Sequence, residues 1–270
     1  ELAAFLWLMC EGMNVHPMNI IITGGSGCGK TTLLNALAAV IRYRERIITI
    51  EDTTELKFLH RDNWISLEAR PATANSTGVS MNDLLKNAMR MRPDRIILGE
   101  VRGDEAQTLF VAMDTGHQGS LGTLHSNTAR EMLVRLSTEP MNVPTNLVHL
   151  LDMIIVLQKI HDYKEGMKRC VLHVAEVSHI DQNVLLSNIY ERNPETDLVL
   201  RTDTPSHLMQ VMSDVSGKNK QYIQQEINVR EKILEWMLRH NIFAAEDVEK
   251  VIQQYYFDPA SVLEQINKDQ

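Results

Sequence analysis

Between positions 24 and 31 the sequence reads Gly-Gly-Ser-Gly-Cys-Gly-Lys-Thr. Glycines at this density let backbone N–H groups crowd around an anion, and a helix that starts directly afterwards adds the positive end of its dipole. The spacing G-x-x-x-x-G-K-[ST], set between an apolar strand and a helix, is that of a phosphate-binding loop. The residues expected to bind ATP are Gly24, Gly25, Ser26, Gly27, Cys28, Gly29, Lys30, Thr31 and Thr32. Lys30 would reach the β- and γ-phosphates and the Thr31 hydroxyl would hold Mg2+. The bland alternative is a glycine-rich turn without a ligand, and the strand–loop–helix context weighs against it.

Three later tracts carry acids, histidines and arginines. In "IEDTTEL" (50–56), Glu51 and Asp52 follow an apolar strand at its carboxyl end, the edge where open α/β sheets bind ligands. A carboxylate there can polarise the water that attacks a γ-phosphate; capping of a solvated turn is the other reading. "RIILGEVRG" (95–103) delivers Glu100 from a hydrophobic strand, with Gly99 in the position where such strands usually carry an aspartate. Glu100 would support the Mg2+ hydration shell or the attacking water. "TGHQGSLGTLHS" (115–126) places His117 and His125 either side of a short strand in glycine-rich sequence, where Gly116, Gly119 and Gly122 permit close backbone approach. This pair is expected at the active edge of the sheet, sensing the γ-phosphate, against the commoner reading of satisfied structural histidines. Arg61, Arg70, Arg90, Arg92 and Arg102 surround these tracts. Arg90, Arg92 and Arg102 are the candidates for arginine contacts of the kind that ring ATPases lend across subunit boundaries.

These residues need a scaffold, and the apolar pattern supplies one. Residues 1–12 read as a helix, 19–23 as a buried strand, 46–50 and 95–100 as further buried strands, and 120–125 as another. Helices are expected after the phosphate loop, over 81–92 behind a Ser80–Asp83 capping box and stopped by Pro93, and over 103–116. Strands alternating with helices imply an α/β fold with a mostly parallel sheet covered on both faces. The predicted division is 1–165 for this core and 166–222 for antiparallel strands and a linker that continue it. Residues 223–270 are expected to form a C-terminal helical bundle whose last helix is capped by Asp258 with Pro259 in its first turn.

The chain has 270 residues, 44% hydrophobic and 23% charged, the composition of an ordinary globular protein with ample core. Its net charge of −8 advertises no general polyanion-binding surface. Cys10, Cys28 and Cys170 are far apart, form no CxxC pair and fit a reducing compartment. No apolar run reaches the roughly 18 residues of a membrane helix, and no signal peptide is visible. The chain begins at Glu1 within an apolar helical pattern, from which a preceding domain is expected to be missing.

In this order, "GGSGCGKTT", "ITIEDTTEL", "MRPDRIILGEVRG" and "TGHQGSLGTLHSN" resemble the phosphate loop, aspartate box, glutamate-bearing second box and histidine box of the type II and type IV secretion ATPase superfamily. These motors also build pili and the archaellum. The likeness covers about 19–127, and the tail over 230–266 is most similar to archaeal members. It implies a RecA-like core, a hexameric ring and an active site at the cleft between two domains. By this resemblance Glu51 is the catalytic glutamate, Glu100 the second-box acid, and His117 and His125 the histidine-box residues. The family's N-terminal domain, with any adenine contacts, has no counterpart in this sequence. Cys28 departs from the serine or alanine usual there. A thiol at a helix start beside Lys30 could be reactive, or it could be a small filler pointing away.

The function expected is Mg-dependent ATP hydrolysis by a cytoplasmic ring, peripheral to the membrane. It would act on a membrane platform protein in secretion or in pilus or archaellum assembly, without direct contact to nucleic acid. A RecA-like translocase of nucleic acid is the alternative motor; the acidic balance and the lack of a basic, aromatic-interleaved tract weigh against it. A nucleotide-gated scaffold that never hydrolyses is the alternative of another class.

Overall fold

The protein is described by a computed structural model covering residues 1–58, 61–73, 77–162, 166–180 and 183–269. The chain runs through α1 (Leu2–Glu11), β1 (Ile20–Gly24), α2 (Lys30–Ala39), β2 (Ile47–Glu51), β3 (Trp64–Glu68) and α3 (Met81–Ala88). It continues with β4 (Arg95–Val101), α4 (Glu105–Asp114), β5 (Leu121–Leu124) and α5 (Ala129–Ser137). Four strands follow, β6 (Met153–Asp162), β7 (Gly166–Ile180), β8 (Asn183–Arg192) and β9 (Val199–Arg201). The helices α6 (His207–Ser216), α7 (Lys220–Arg239), α8 (Ala245–Phe257) and α9 (Pro259–Lys268) complete the order.

The nine strands found among the described residues join one sheet in the order β3-β2-β4-β5-β1-β6-β7-β8-β9. From β3 to β6 every pairing is parallel, and from β6 to β9 every pairing is antiparallel. The boundary expected at residue 165 lies outside the described residues. The structure shows that the antiparallel strands extend the same sheet from the edge of β6. Strand β3 is not apparent from the periodicity: it is an edge strand with three partly buried and two exposed residues and none fully buried.

The central strands are buried on both faces, so alternate residues feed two cores. Ile20 and Ile22 of β1 belong to the cluster with α1, α2 and the C-terminal helices, and Ile21 belongs to the cluster with α3, α4 and α5. Each such isoleucine stabilises the fold by roughly 1.5–3 kcal/mol. Helix α1 is apolar on all sides and buried from Ala4 onward, packed against α7. Its last residue, Glu11, is 1% exposed and sits between Arg42 and Arg230, whose Nη2 donates to it at 3.0 Å. Arg61 is also buried. Its guanidinium donates to the carbonyls of Ala38, Ile41 and Arg42 at the end of α2 and pairs with Glu249 of α8. It therefore closes the C-terminus of the helix that follows the phosphate loop, and ties that helix to the C-terminal segment.

At the amino end of the sheet, Asp152 accepts the Asn19 N–H at 2.7 Å. Burial pushes the Asp152 carboxyl up to about 7 against the opposing effect of that hydrogen bond, and nearby Glu176 adds to the rise. A carboxyl raised in the folded state contributes stability that is fully present below its unfolded value and lost as pH climbs through the folded value. Between about pH 4 and pH 7 this group therefore makes folding less favourable as pH rises. Asp152→Asn keeps an acceptor for Asn19 and removes the charge, so its stability relative to wild type is expected to be greater at pH 8 than at pH 4. Urea unfolding at the two pH values measures this, and parallel pH profiles would remove Asp152 as the source. Among the described residues no helix is long and apolar enough to cross a membrane.

Candidate active site

The loop between β1 and α2 wraps a space at the carboxyl edge of the sheet. Ser26 and Gly27 are exposed at its tip, and Lys30 Nζ donates to the carbonyls of Gly24 and Gly25 at 3.0 and 3.1 Å. Lys30 is thus folded over the loop that it serves. Cys28 is 2% exposed and its sulfur lies against Gly24, where any Cβ would collide with it and with the Leu157 carbonyl. The thiol fills the space beneath the loop and does not face the phosphate cradle, which is the filler reading of this residue.

Thr23 anchors the next tract. Its hydroxyl meets Ser126 Oγ at 2.8 Å and accepts the Ser126 N–H at 3.1 Å, so the segment after β5 is fastened beside the loop. This brings Asn127 to Gly25, where a Cβ would stand 3.6 Å from Asn127 Oδ1. It also brings His125 near Glu100: the charges of Lys30 and His125 both act on the Glu100 carboxylate. Burial alone would raise that carboxyl. The Arg102 guanidinium, 2.7 Å away, together with Lys30 and His125, outweighs burial and holds it below the usual range. Glu100 is therefore ionised at neutral pH. Arg102 also approaches Asp52 at 3.8 Å, and its turn is held by Glu105, which accepts the N–H groups of Arg102 and Gly103.

Glu51 ends β2 and is 2% exposed. Its Oε1 accepts the N–H groups of Glu55 and Leu56 at 2.9 and 3.0 Å, which is the turn-capping duty. Its Oε2 is buried with no partner among the described residues. An orphaned carboxylate oxygen at a ligand-binding edge is costly unless something else comes to it. The side chain leans across β4 at Gly99, where an added Cβ would stand 2.8 Å from Glu51 Cγ. This accounts for the departure from the usual aspartate: the space that a side chain at 99 would need is taken by Glu51, and the strand presents its acid one residue later.

The other candidates are separated by the strand geometry. His117 precedes β5 and His125 follows it, so the two lie at opposite ends of a parallel strand that spans roughly 10 Å. The sequence reading put both at the active edge; the structure puts only His125 there. The turn carrying His117 is built instead around Arg95, a buried guanidinium that donates to the Cys10 and Gly119 carbonyls and would collide with any Cβ at Gly119. Gly116 and Gly122, by contrast, have no neighbour that excludes a Cβ. Arg90 and Arg92 precede β4 and lie at that same far end, exposed. Of the five candidate arginines, Arg102 and Arg70 are exposed at the carboxyl edge, while Arg61 is enclosed by the end of α2. An arginine in contact with this loop goes unmarked by the sequence pattern: Arg169 of β7 donates from Nε to the Gly27 carbonyl at 2.9 Å.

The residues present fit Mg-ATP. The exposed loop, the ionised Glu100, the Thr31 hydroxyl at the start of α2 and the orphaned Glu51 Oε2 converge on one edge. Among the described residues no group of three or more His, Cys, Asp or Glu side chains could hold a metal ion unaided.

Fold and site together define a RecA-like α/β protein, with a largely parallel sheet, a glycine-rich loop after β1 and an acid-bearing strand, β4, on the far side of β5. Residues 7–247 match the family described as "Type II/IV secretion system protein", and the chain belongs to that family. An uncharacterized protein of Methanocaldococcus jannaschii is 33% identical over 94% of this chain and 92% of its own length. Among solved structures, the VirB11 ATPase of the Brucella suis type IV secretion system is 28% identical, with a TM-score of 0.53 over 64% of this chain. The pilus retraction motor PilT with bound ADP is 27% identical, with a TM-score of 0.50 over 62%. The chain spans about half the length of these two structures, 51% and 49%.

Proposed function

We propose that this chain hydrolyses ATP as the motor part of a type II or type IV secretion, pilus or archaellum machine. It would work as a hexameric ring at the cytoplasmic face of a membrane platform. The observation that carries the reading is the convergence of Lys30, Glu100, His125 and the orphaned Glu51 Oε2 on the edge where the phosphate loop opens. Family membership and the ADP named with PilT support it. The backbone N–H groups of 25–30 and the Lys30 ammonium bind the phosphates. The Thr31 hydroxyl and the Glu100 carboxylate would hold Mg2+, which when bound neutralises charge on the β- and γ-phosphate oxygens. Glu51 offers Oε2 to the attacking water while Oε1 keeps the turn in place. His125 donates toward the oxygens on which charge develops. Arg102, paired with Glu100, is exposed enough to change partners when the phosphates arrive.

Calorimetry tests the binding half directly. Lys30→Ala is expected to weaken ADP by on the order of 100-fold, the loss of charge-assisted bonds to phosphate. Equal affinity in both proteins would show that the loop is a structural turn.

A further inference from the structure

Strands β6 and β7 run on beyond the end of β1. Gly24, the last residue of β1, pairs with Leu157, and β6 then continues through Lys159, which lies directly opposite Arg169 of β7. The pair therefore overhangs the phosphate loop. Directly opposed residues on antiparallel strands project from the same face, and like charges so placed repel. Neither Lys159 nor Arg169 has an acidic partner among the described residues, and both are exposed. The adjacent Lys168 projects from the other face, where it finds Asp197 at 2.9 Å. Two opposed cations without a counter-ion, one of them already bonded to the phosphate loop, indicate that an anion completes them.

The geometry within the loop says which anion. Arg169 uses Nε on the Gly27 carbonyl, and its Cδ lies 3.6 Å from where a Gly29 Cβ would be. Nη1 and Nη2 carry no hydrogen bond among the described residues, and the side chain is exposed beside the loop. The γ-phosphate machinery lies on the opposite flank: Glu100 and His125 come from β4 and the end of β5, on the other side of β1 from β6 and β7. A cation on the β7 flank is thus placed away from the bond that breaks. We propose that Arg169, supported by Lys159, binds the α-phosphate of the nucleotide and holds the Gly27 peptide in its cradle-forming orientation. This rests on the reading of the loop as a nucleotide site and extends it to a second wall, supplied by the antiparallel half of the sheet. Arg169 is a binding residue common to ATP and ADP, with no part in sensing the γ-phosphate.

The test is calorimetric titration of ADP and of the non-hydrolysable analogue AMP-PNP into wild type, Arg169→Ala, Arg169→Lys and Lys159→Ala. Arg169→Ala is expected to weaken both nucleotides by the same factor, about 10- to 100-fold. Arg169→Lys should recover part of this, as a point charge without the fork. Lys159→Ala should weaken both by a few-fold while leaving the melting temperature of the nucleotide-free protein unchanged or higher, because a repulsion is removed. A purely structural role could not move affinity and melting in those opposite directions. Loss of AMP-PNP affinity with ADP untouched would place Arg169 at the γ-phosphate and overturn the assignment, as would wild-type affinity in Arg169→Ala. Failure of the underlying reading gives a different result, a wild-type protein that takes up no ADP, and the inference would then fall with it.

Discussion

Glu51→Gln is expected to lower ATP turnover by about 10²- to 10⁴-fold, the range lost with a positioned general base, while ADP affinity stays at the wild-type level. The substitution separates the two oxygens of this carboxylate. The amide oxygen of glutamine can still accept the Glu55 and Leu56 N–H groups that Oε1 accepts, so the turn after β2 survives. The buried oxygen that has no partner, Oε2, is replaced by an amide that cannot take a proton from water. Steady-state phosphate release, with ADP titration as the binding control, measures both. Wild-type turnover in Glu51→Gln would reduce Glu51 to a turn cap.

Gly99→Ala is expected to cause a loss of the same order through the same carboxylate, although a methyl group carries no chemistry. The Cβ would stand 2.8 Å from Glu51 Cγ, closer than such contacts are tolerated, and the strand backbone on which it sits is fixed in the middle of the sheet. Glu51 must swing away, giving up its hold on the turn. Overpacking of this kind destabilises by about 1–3 kcal/mol, which thermal melting detects beside the fall in turnover. A double-mutant cycle isolates the mechanism: added to Glu51→Gln, the methyl should bring little further loss of turnover, because the two substitutions remove one interaction. Independent, multiplying losses would mean that Gly99 serves the site in some other way.

The parts of this molecule that were legible in the sequence are those coded by contiguous residues. The strand–loop–helix around residues 24–31, the Ser80–Asp83 capping box and the Ile-rich strands each announce themselves within a dozen positions, and the structure contains all of them. What pattern cannot express is which end of an element faces the site. His117 and His125 look like a pair because eight positions separate them, yet a parallel strand between two residues sends them to opposite edges of the sheet. Arg61 and Arg102 look equivalent as free cations. Only the packing distinguishes a guanidinium enclosed by the end of α2 from one exposed beside Glu100. Arg169 is 142 positions from Gly27, and its place at the loop follows from β7 pairing beside β6, a consequence of topology alone. The missing aspartate at 99 was visible as an anomaly, and its cause lies in the side chain of the neighbouring strand.

Hydrolysis itself is best measured as phosphate released from ATP by the wild-type chain in the presence of magnesium, followed across protein concentration beside Lys30→Ala and Glu100→Gln. The predicted result is turnover by wild type that rises more steeply than protein concentration as copies assemble, and none above background in either variant. ATP bound by the wild-type chain with no phosphate released at any concentration would contradict the proposal and leave a nucleotide-gated scaffold in its place.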